Sequence, residues 1–253
     1  RRRLGDCSHD PPATCGTPRR RRPRRICKES MLGQHGRGLT RALLTRPALA
    51  MARAGITPNM LTVAGTVASV SVAVATLPRG HFIAGPPLLA VVLVGDSFDG
   101  VLARATGRTS VFGAFLDSTL DRLADGAVFA SLAAWAALSM KTDSAFLHVA
   151  TVCLALACVV LAAVVPYARA RAESIGATAS VGIAERTDRL LVALVATFAV
   201  GLGAPQWVLS AALGYVALAS FITVLQRIVA VRHQMTDRAA VGADGGAEPG
   251  ADA

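Results

Sequence analysis

Apolar residues in this chain fall in long blocks separated by short polar stretches. From residue 57 onward they resolve into six candidate spans, at about 57–78, 82–104, 111–139, 144–170, 187–203 and 206–231. Each is near the ~20 residues that a helix needs to cross a hydrocarbon core about 30 Å thick. A backbone in lipid must satisfy its own N–H and C=O groups, so blocks of this length predict helices. The expected fold class is all-α: a polytopic membrane protein with six transmembrane helices in residues 57–233 and both termini on one side. Ahead of the first span, Gly38 to Ala54 alternates Arg41, Arg46 and Arg53 with Leu and Ala. That pattern predicts an N-terminal amphipathic helix lying in the interface, within a juxtamembrane segment 31–56. Pro86 and Pro87 in the second span and Pro166 in the fourth predict kinks. Residues 234–253, rich in Gly, Ala and Asp, predict a disordered C-terminal tail.

Composition agrees with the pattern. Of 253 residues, 53% are hydrophobic and 17% charged, whereas a soluble globular domain has about 45–50% and about 25%. An ordinary soluble domain is thereby excluded. The net charge of +10 would suggest nucleic acid if it were spread over the chain. Residues 1–30 instead hold ten Lys/Arg against Asp6, Asp10 and Glu29, a local charge of +7. This basic, disordered tail lacks interleaved aromatics, which ranks nucleic acid last among its partners. It reads as a mis-called start before Met31 or an expression remnant, with a basic arm on anionic lipid as the alternative. No secretory signal is visible, because the first long apolar run belongs to the fold. Cys7, Cys15 and Cys27 lie in the tail and Cys153 and Cys158 in an apolar helix without a matching His, so neither a zinc site nor a disulfide framework follows. Thirteen Arg, from Arg37 to Arg238, flank one set of span ends, and only Arg79 and Lys141 flank the other. The positive-inside rule places the first set in the cytoplasm of a multi-pass cell-membrane protein.

Chemistry concentrates where spans two and three meet. Asp96, Asp99, Gly100, Ala103 and Arg104 are followed by Gly113, Asp117 and Asp121. On helices, Asp96 and Asp99 are i,i+3, and Gly113, Asp117 and Asp121 repeat at i+4, so each helix turns a pair of carboxylates to one side. Acids at a helix centre in hydrocarbon cost about +2.5 to +3.5 kcal/mol each by insertion scales, and need cations or water. Hard oxygen ligands argue for Mg²⁺, with Mn²⁺ as the alternative. A structural reading remains, in which Arg104, Arg108 and Arg122 pair with the acids. A different kind of function, a cation transporter or channel, would distribute acids through the spans, whereas these gather at one membrane side.

The spacing D-x2-D-G-x2-A-R-x8-G-x3-D-x3-D, with every fixed position filled, resembles the signature of the CDP-alcohol phosphotransferases. The resemblance implies an integral-membrane enzyme that joins a CDP-activated lipid to an alcohol. It implies that Asp96, Asp99, Asp117 and Asp121 hold metal, and that Asp121 also takes the proton from the attacking hydroxyl. Gly100 would let the nucleotide approach the helix, and Arg104 would offer a guanidinium to phosphate. Thr57-Pro58-Asn59-Met60-Leu61-Thr62 is similar to the family's segment at the cytidine end of the CDP lipid. The same residues also make an ordinary N-cap followed by Pro at N1. Ser110 is either a further hydroxyl on the CDP group or a helix cap.

The acceptor side is written in Arg169 and Arg171, after span four, and in Arg186 and Arg189, at the start of span five, with Arg227 at the end of span six. So many cations suit an acceptor that carries a phosphate, bound bidentately. The plain alternative is topology, since Arg residues flank spans in any case. Together with Gly65-Thr66, Asp121-Arg-Leu-Ala-Asp-Gly and Glu185-Arg186, these segments resemble the bacterial phosphatidylinositol phosphate synthases over roughly residues 38–232. That resemblance implies CDP-diacylglycerol and inositol phosphate as substrates, CMP as product, membrane lipids as surroundings and a homodimer. One departure is Arg169, where that subfamily would have Lys; Arg keeps the charge and changes the reach. The nearest rival is phosphatidylglycerophosphate synthesis with glycerol 3-phosphate.

Overall fold

Each apolar block becomes one helix: α1 Pro58–Thr76, α2 Gly85–Ala105, α3 Val111–Leu138, α4 Ala145–Ser174, α5 Arg186–Gly201 and α6 Trp207–Asp244. The computed structural model describes Gly55 and residues 57–105, 110–182 and 186–244, apart from the side chains of 96–101, 103–105 and 239–244. The tail 1–30, the juxtamembrane segment 31–56 apart from Gly55, and residues 245–253 lie outside the described residues. Those described belong to one unit, residues 41–253. No strand occurs among them.

Short polar residues start the helices. Thr57, Ser110 and Ser144 each accept from the backbone N–H three residues on, at 3.3, 2.9 and 3.2 Å. Each thereby satisfies one of the donors that a helix start leaves open. Pro86 and Pro87 fall in the first turn of α2, not inside it. There a missing N–H costs nothing, so the expected mid-span kink does not arise at these prolines. Pro166 does lie inside α4.

Helix α1 packs on both α2 and α3, α3 on α4, α4 and α5 on α6, and α2 on α5. The shared core mixes large side chains, among them Leu77, Leu89, Phe129, Leu132, Leu209 and Leu213, with buried Ala73, Ala136, Ala155, Ala162 and Ala193. Small residues let helix backbones approach closely where lipid offers no hydrophobic drive for association. A buried Thr151–Ser210 hydroxyl pair at 2.6 Å ties α4 to α6. The outer faces expose Val67, Val91, Phe115, Val160, Leu218 and Phe221, a surface suited to hydrocarbon rather than water. Three helices, α1, α4 and residues 207–238 of α6, are long and apolar enough to cross a membrane. Charge interrupts α3 at Asp117, Asp121, Arg122 and Asp125, and α5 has only 16 residues.

The last helix corrects the sequence reading. Residues 234–244, expected to begin a disordered tail, continue α6 to Asp244. Gln234 and Arg238 bond to the α4–α5 loop, which supplies the partners that the segment's own composition lacks.

One glycine tests the packing at the far end from the acids. A Cβ at Gly201 would sit 2.7 Å from the Phe82 carbonyl carbon and 2.8 Å from its Cβ. Gly201→Ala is expected to destabilise the fold by about 1–3 kcal/mol through overpacking. A lower melting temperature in detergent is the readout; an unchanged one would show that the turn after α1 yields without cost.

Candidate active site

Helix α3 carries Asp117, Asp121 and Asp125 one turn apart on one side. Asp96, Asp99, Gly100 and Arg104 lie in the last turns of α2, and their side chains are outside the described residues. Helix α1, packed against both, brings its own start to the same end. A Cβ at Gly113 would lie 3.0 Å from Ser110 Oγ and 3.2 Å from Asn59 Oδ1. Gly113 is thus the point where the openings of α1 and α3 approach, and it draws Asn59 and Ser110 together. Thr57 and Ser110 serve as N-caps, the plainer of the two readings open for each; capping uses an oxygen lone pair and leaves the O–H able to donate. Met60 is exposed and Leu61 half-buried. Thr62 is buried and donates to the Pro58 carbonyl at 3.1 Å.

Beside Asp121 lies a linked set of charges. Arg186, the first residue of α5, reaches Asp121 Oδ1 with Nη1 at 3.0 Å and donates from Nε to Asp125 Oδ1 at 2.9 Å. Asp125 is buried, and Arg186 and Asp121 are partly open. One planar guanidinium therefore spans two carboxylates of α3 from another helix, with two of its donors in fixed directions.

Arg186 also lines a cavity of about 550 Å³, within the range of small-molecule sites. Its wall takes Ser118 and Arg122 from α3, Arg169 and Glu173 from α4, Arg189 from α5 and Arg227 from α6. Arg189 is only 5% exposed, and its Nε and Nη1 have no hydrogen-bond partner among the described residues. A buried guanidinium with two unmet donors on a cavity wall is an energetic liability that an anion would relieve. Arg227 is engaged with backbone, giving Nε to the Val181 carbonyl at 3.1 Å and Nη1 to that of Val165. Arg169 pairs with Glu173 at 2.9 Å, both more than half exposed.

Of the five Arg expected at the acceptor, the structure brings Arg169, Arg186, Arg189 and Arg227 to one cavity and leaves Arg171 off its wall. Arg171 turns instead to Ser174 Oγ, at 3.4 Å. Two members were missed. Arg122 lies within the third span and was read only as a structural partner of the acids, yet an ionisable residue at such a position is functional by default. Asp125 continues the four-residue row of Gly113, Asp117 and Asp121, and that periodicity was its signal. The acids offer carboxylate oxygens alone, a donor set that fits a hard divalent cation and disfavours zinc.

The family model for CDP-alcohol phosphatidyltransferases matches residues 55–186. The chain belongs to this family. The match runs from the opening of α1 to the first residue of α5, so Arg189, Arg227 and the far cavity wall lie beyond it. The chain is 45% identical over 195 residues to the phosphatidylinositol phosphate synthase of Mycobacteroides abscessus, covering 76% of this chain and 86% of that protein. The crystal structure of the Mycobacterium tuberculosis phosphatidylinositol phosphate synthase with CDP-DAG bound superposes with a TM-score of 0.68 at 36% identity, covering 75% of this chain and 94% of that one. The same enzyme in complex with manganese and citrate gives 0.67 at 37% identity, covering 74% and 88%. As a CDP-alcohol phosphotransferase, the chain is a metal-dependent transferase of phospholipid biosynthesis.

Proposed function

We propose that this transferase moves the phosphatidyl group of CDP-diacylglycerol to a hydroxyl of inositol phosphate. The observation that carries the acceptor is the Arg-lined cavity, in which buried Arg189 has unmet donors and Arg186 links the wall to Asp121. Relatives named phosphatidylinositol phosphate synthase support it.

In this reading the six helices cross the cell membrane and the acids and the cavity face the cytoplasm. The protein works as a homodimer among membrane lipids. Asp96, Asp99, Asp117 and Asp121 hold Mg²⁺ or Mn²⁺, which when bound neutralises pyrophosphate oxygens and the departing nucleotide. Asn59, Met60, Leu61, Thr62 and Ser110, with Gly100 and Arg104, receive the CDP end. Arg169, Arg186, Arg189 and Arg227 hold the acceptor phosphate, and Arg171, which is off the cavity wall, does not join them.

Asp121 accepts the proton of the acceptor hydroxyl. The resulting oxygen forms a bond to the lipid-side β-phosphorus of CDP-diacylglycerol, the bond from that phosphorus to the bridging oxygen breaks, and CMP departs with the bonding pair. Arg186 contributes order: tied to Asp125, it holds a cation between Asp121 and the cavity, so that the acceptor's phosphate and its hydroxyl are placed by connected groups.

The test is CMP release from CDP-diacylglycerol by purified protein with Mg²⁺, comparing inositol phosphate, free inositol and glycerol 3-phosphate. Release with inositol phosphate alone is the expected result. Release with glycerol 3-phosphate instead would keep the acidic centre and replace the acceptor, and a metal-dependent ion flux through liposomes without CDP lipid would favour transport.

A further inference from the structure

Helix α6 is far longer than a membrane requires. Its 38 residues span about 57 Å, against a hydrocarbon core of about 30 Å. Gln234 lies about 40 Å along the helix from Trp207, and so beyond the hydrocarbon core in the proposed topology.

That extension is occupied on one face. Thr223, Arg227, Val231, Gln234 and Arg238 follow one another at steps of four, four, three and four residues, the spacing of a single helical stripe. All of them meet the segment between α4 and α5. Helix α4 ends in a Schellman turn: Gly176 takes φ of 72°, Ala177 N–H donates to the Ala172 carbonyl at 2.9 Å and Gly176 N–H to that of Glu173 at 3.0 Å. The chain then runs along α6. Gln234 accepts from Thr178 N–H at 2.9 Å and donates to the Thr178 carbonyl at 2.6 Å. Arg238 donates to the Gly176 carbonyl at 2.6 Å, and Arg227 to that of Val181 at 3.1 Å. Ala177 and Ala179 are buried in a small cluster with Val231 and Met235. Gly182 passes so near that a Cβ there would lie 2.5 Å from Thr223 Cγ2.

The segment so held is a wall of the site. Ser180, Val181 and Gly182 line the cavity that Arg189 and Arg227 also line. It has no sheet or helix of its own to satisfy Thr178, whose backbone N–H and C=O are both met by one side chain. A loop with exposed backbone and few partners opens readily. Here its order is supplied by α6.

The geometry points to the extension of α6 as a splint for the acceptor side of the site, with Gln234 as its positioning residue. Gln234 does not line the cavity. It acts by holding the α4–α5 segment in register, and so on the acceptor and not on the CDP lipid, which in the proposed reading binds at α1, α2 and the start of α3. This rests on the assignment of the cavity to a phosphorylated acceptor.

The experiment uses full-length protein in nanodiscs, with Gln234→Ala, Arg238→Ala and, on the open face of the same helix, His233→Ala. CMP release with Mg²⁺ gives KM for inositol phosphate and for CDP-diacylglycerol, and amide hydrogen exchange reads residues 176–182. Gln234→Ala is expected to raise the acceptor KM about tenfold, with kcat and the CDP-lipid KM within about twofold of wild type, and to speed exchange at Thr178. Arg238→Ala should do the same to a smaller extent and His233→Ala should do neither. Unchanged exchange in Gln234→Ala would overturn the splint, and so would faster exchange with a wild-type acceptor KM or an equal rise in both KM values. Wild-type protein inactive with inositol phosphate would strike the functional reading instead, and the exchange at Thr178 would still decide whether Gln234 holds the segment.

Discussion

Asp121→Asn is expected to abolish CMP release, by about 10³-fold or more, in a protein that stays folded. Two losses combine in that figure. A positioned general base contributes typically about 10²–10⁴-fold, and the same substitution removes one anionic oxygen from the carboxylate set that suits a divalent cation. Folding should survive because Asn keeps the shape and one carbonyl oxygen at the place where Arg186 Nη1 now meets Asp121 Oδ1, at 3.0 Å. Arg186 also retains its bond to buried Asp125. The measurements are single-turnover CMP release and a melting curve in the same detergent. Near wild-type turnover by Asp121→Asn would reject Asp121 as the base; a collapsed melting temperature would show that its negative charge is needed first for the fold.

Arg189→Met should move activity and stability in opposite directions. Arg189 is 5% exposed, with Nε and Nη1 unpaired among the described residues. Burying a charge whose donors are unmet is costly, and Met removes that cost at similar volume, so the melting temperature should hold or rise. The phosphorylated acceptor should suffer. Hydrogen bonds to charged groups are worth about 1.5–3 kcal/mol each, and about 1.4 kcal/mol is a factor of ten, so the acceptor KM should rise about a hundredfold. The KM for CDP-diacylglycerol should not change. A destabilised protein with an unaltered acceptor KM would mean that Arg189 supports the bundle and not the substrate.

The helices were legible in the sequence because hydropathy is a local property. The third block, expected at 111–139, is helix Val111–Leu138, and the fifth, expected at 187–203, is Arg186–Gly201. Disagreement is largest where apolar residues belong to turns or polar ones find distant partners. Phe82 is apolar and buried, yet it precedes α2 in the turn that Gly201 packs against. Residues 234–244 look unable to fold by composition, yet they are helical, and Gln234 and Arg238 bond to a loop more than fifty residues earlier in the chain.

The site divides in the same way. Asp117 and Asp121 fall on one side of a helix through a four-residue interval that any helix imposes, and their family signature follows from spacing alone. Which Arg reach the cavity was not available from spacing. Arg169 and Arg171 are two residues apart on α4 and so point to different sides, and only the packing of α3, α5 and α6 decides which side is the cavity. Arg122 and Asp125 entered the site by the same route.

Sequence by itself determined the helices of the described residues, the acids in their helical register and the cationic ends that match them, because each depends on residues within a turn or two of one another. Tertiary structure alone decided that Arg186 bridges Asp121 and Asp125, that Arg189 is buried with unmet donors, and that Gln234 grips the backbone of Thr178. Those contacts join residues tens of positions apart, and their geometry exists only once four helices have converged on one cavity.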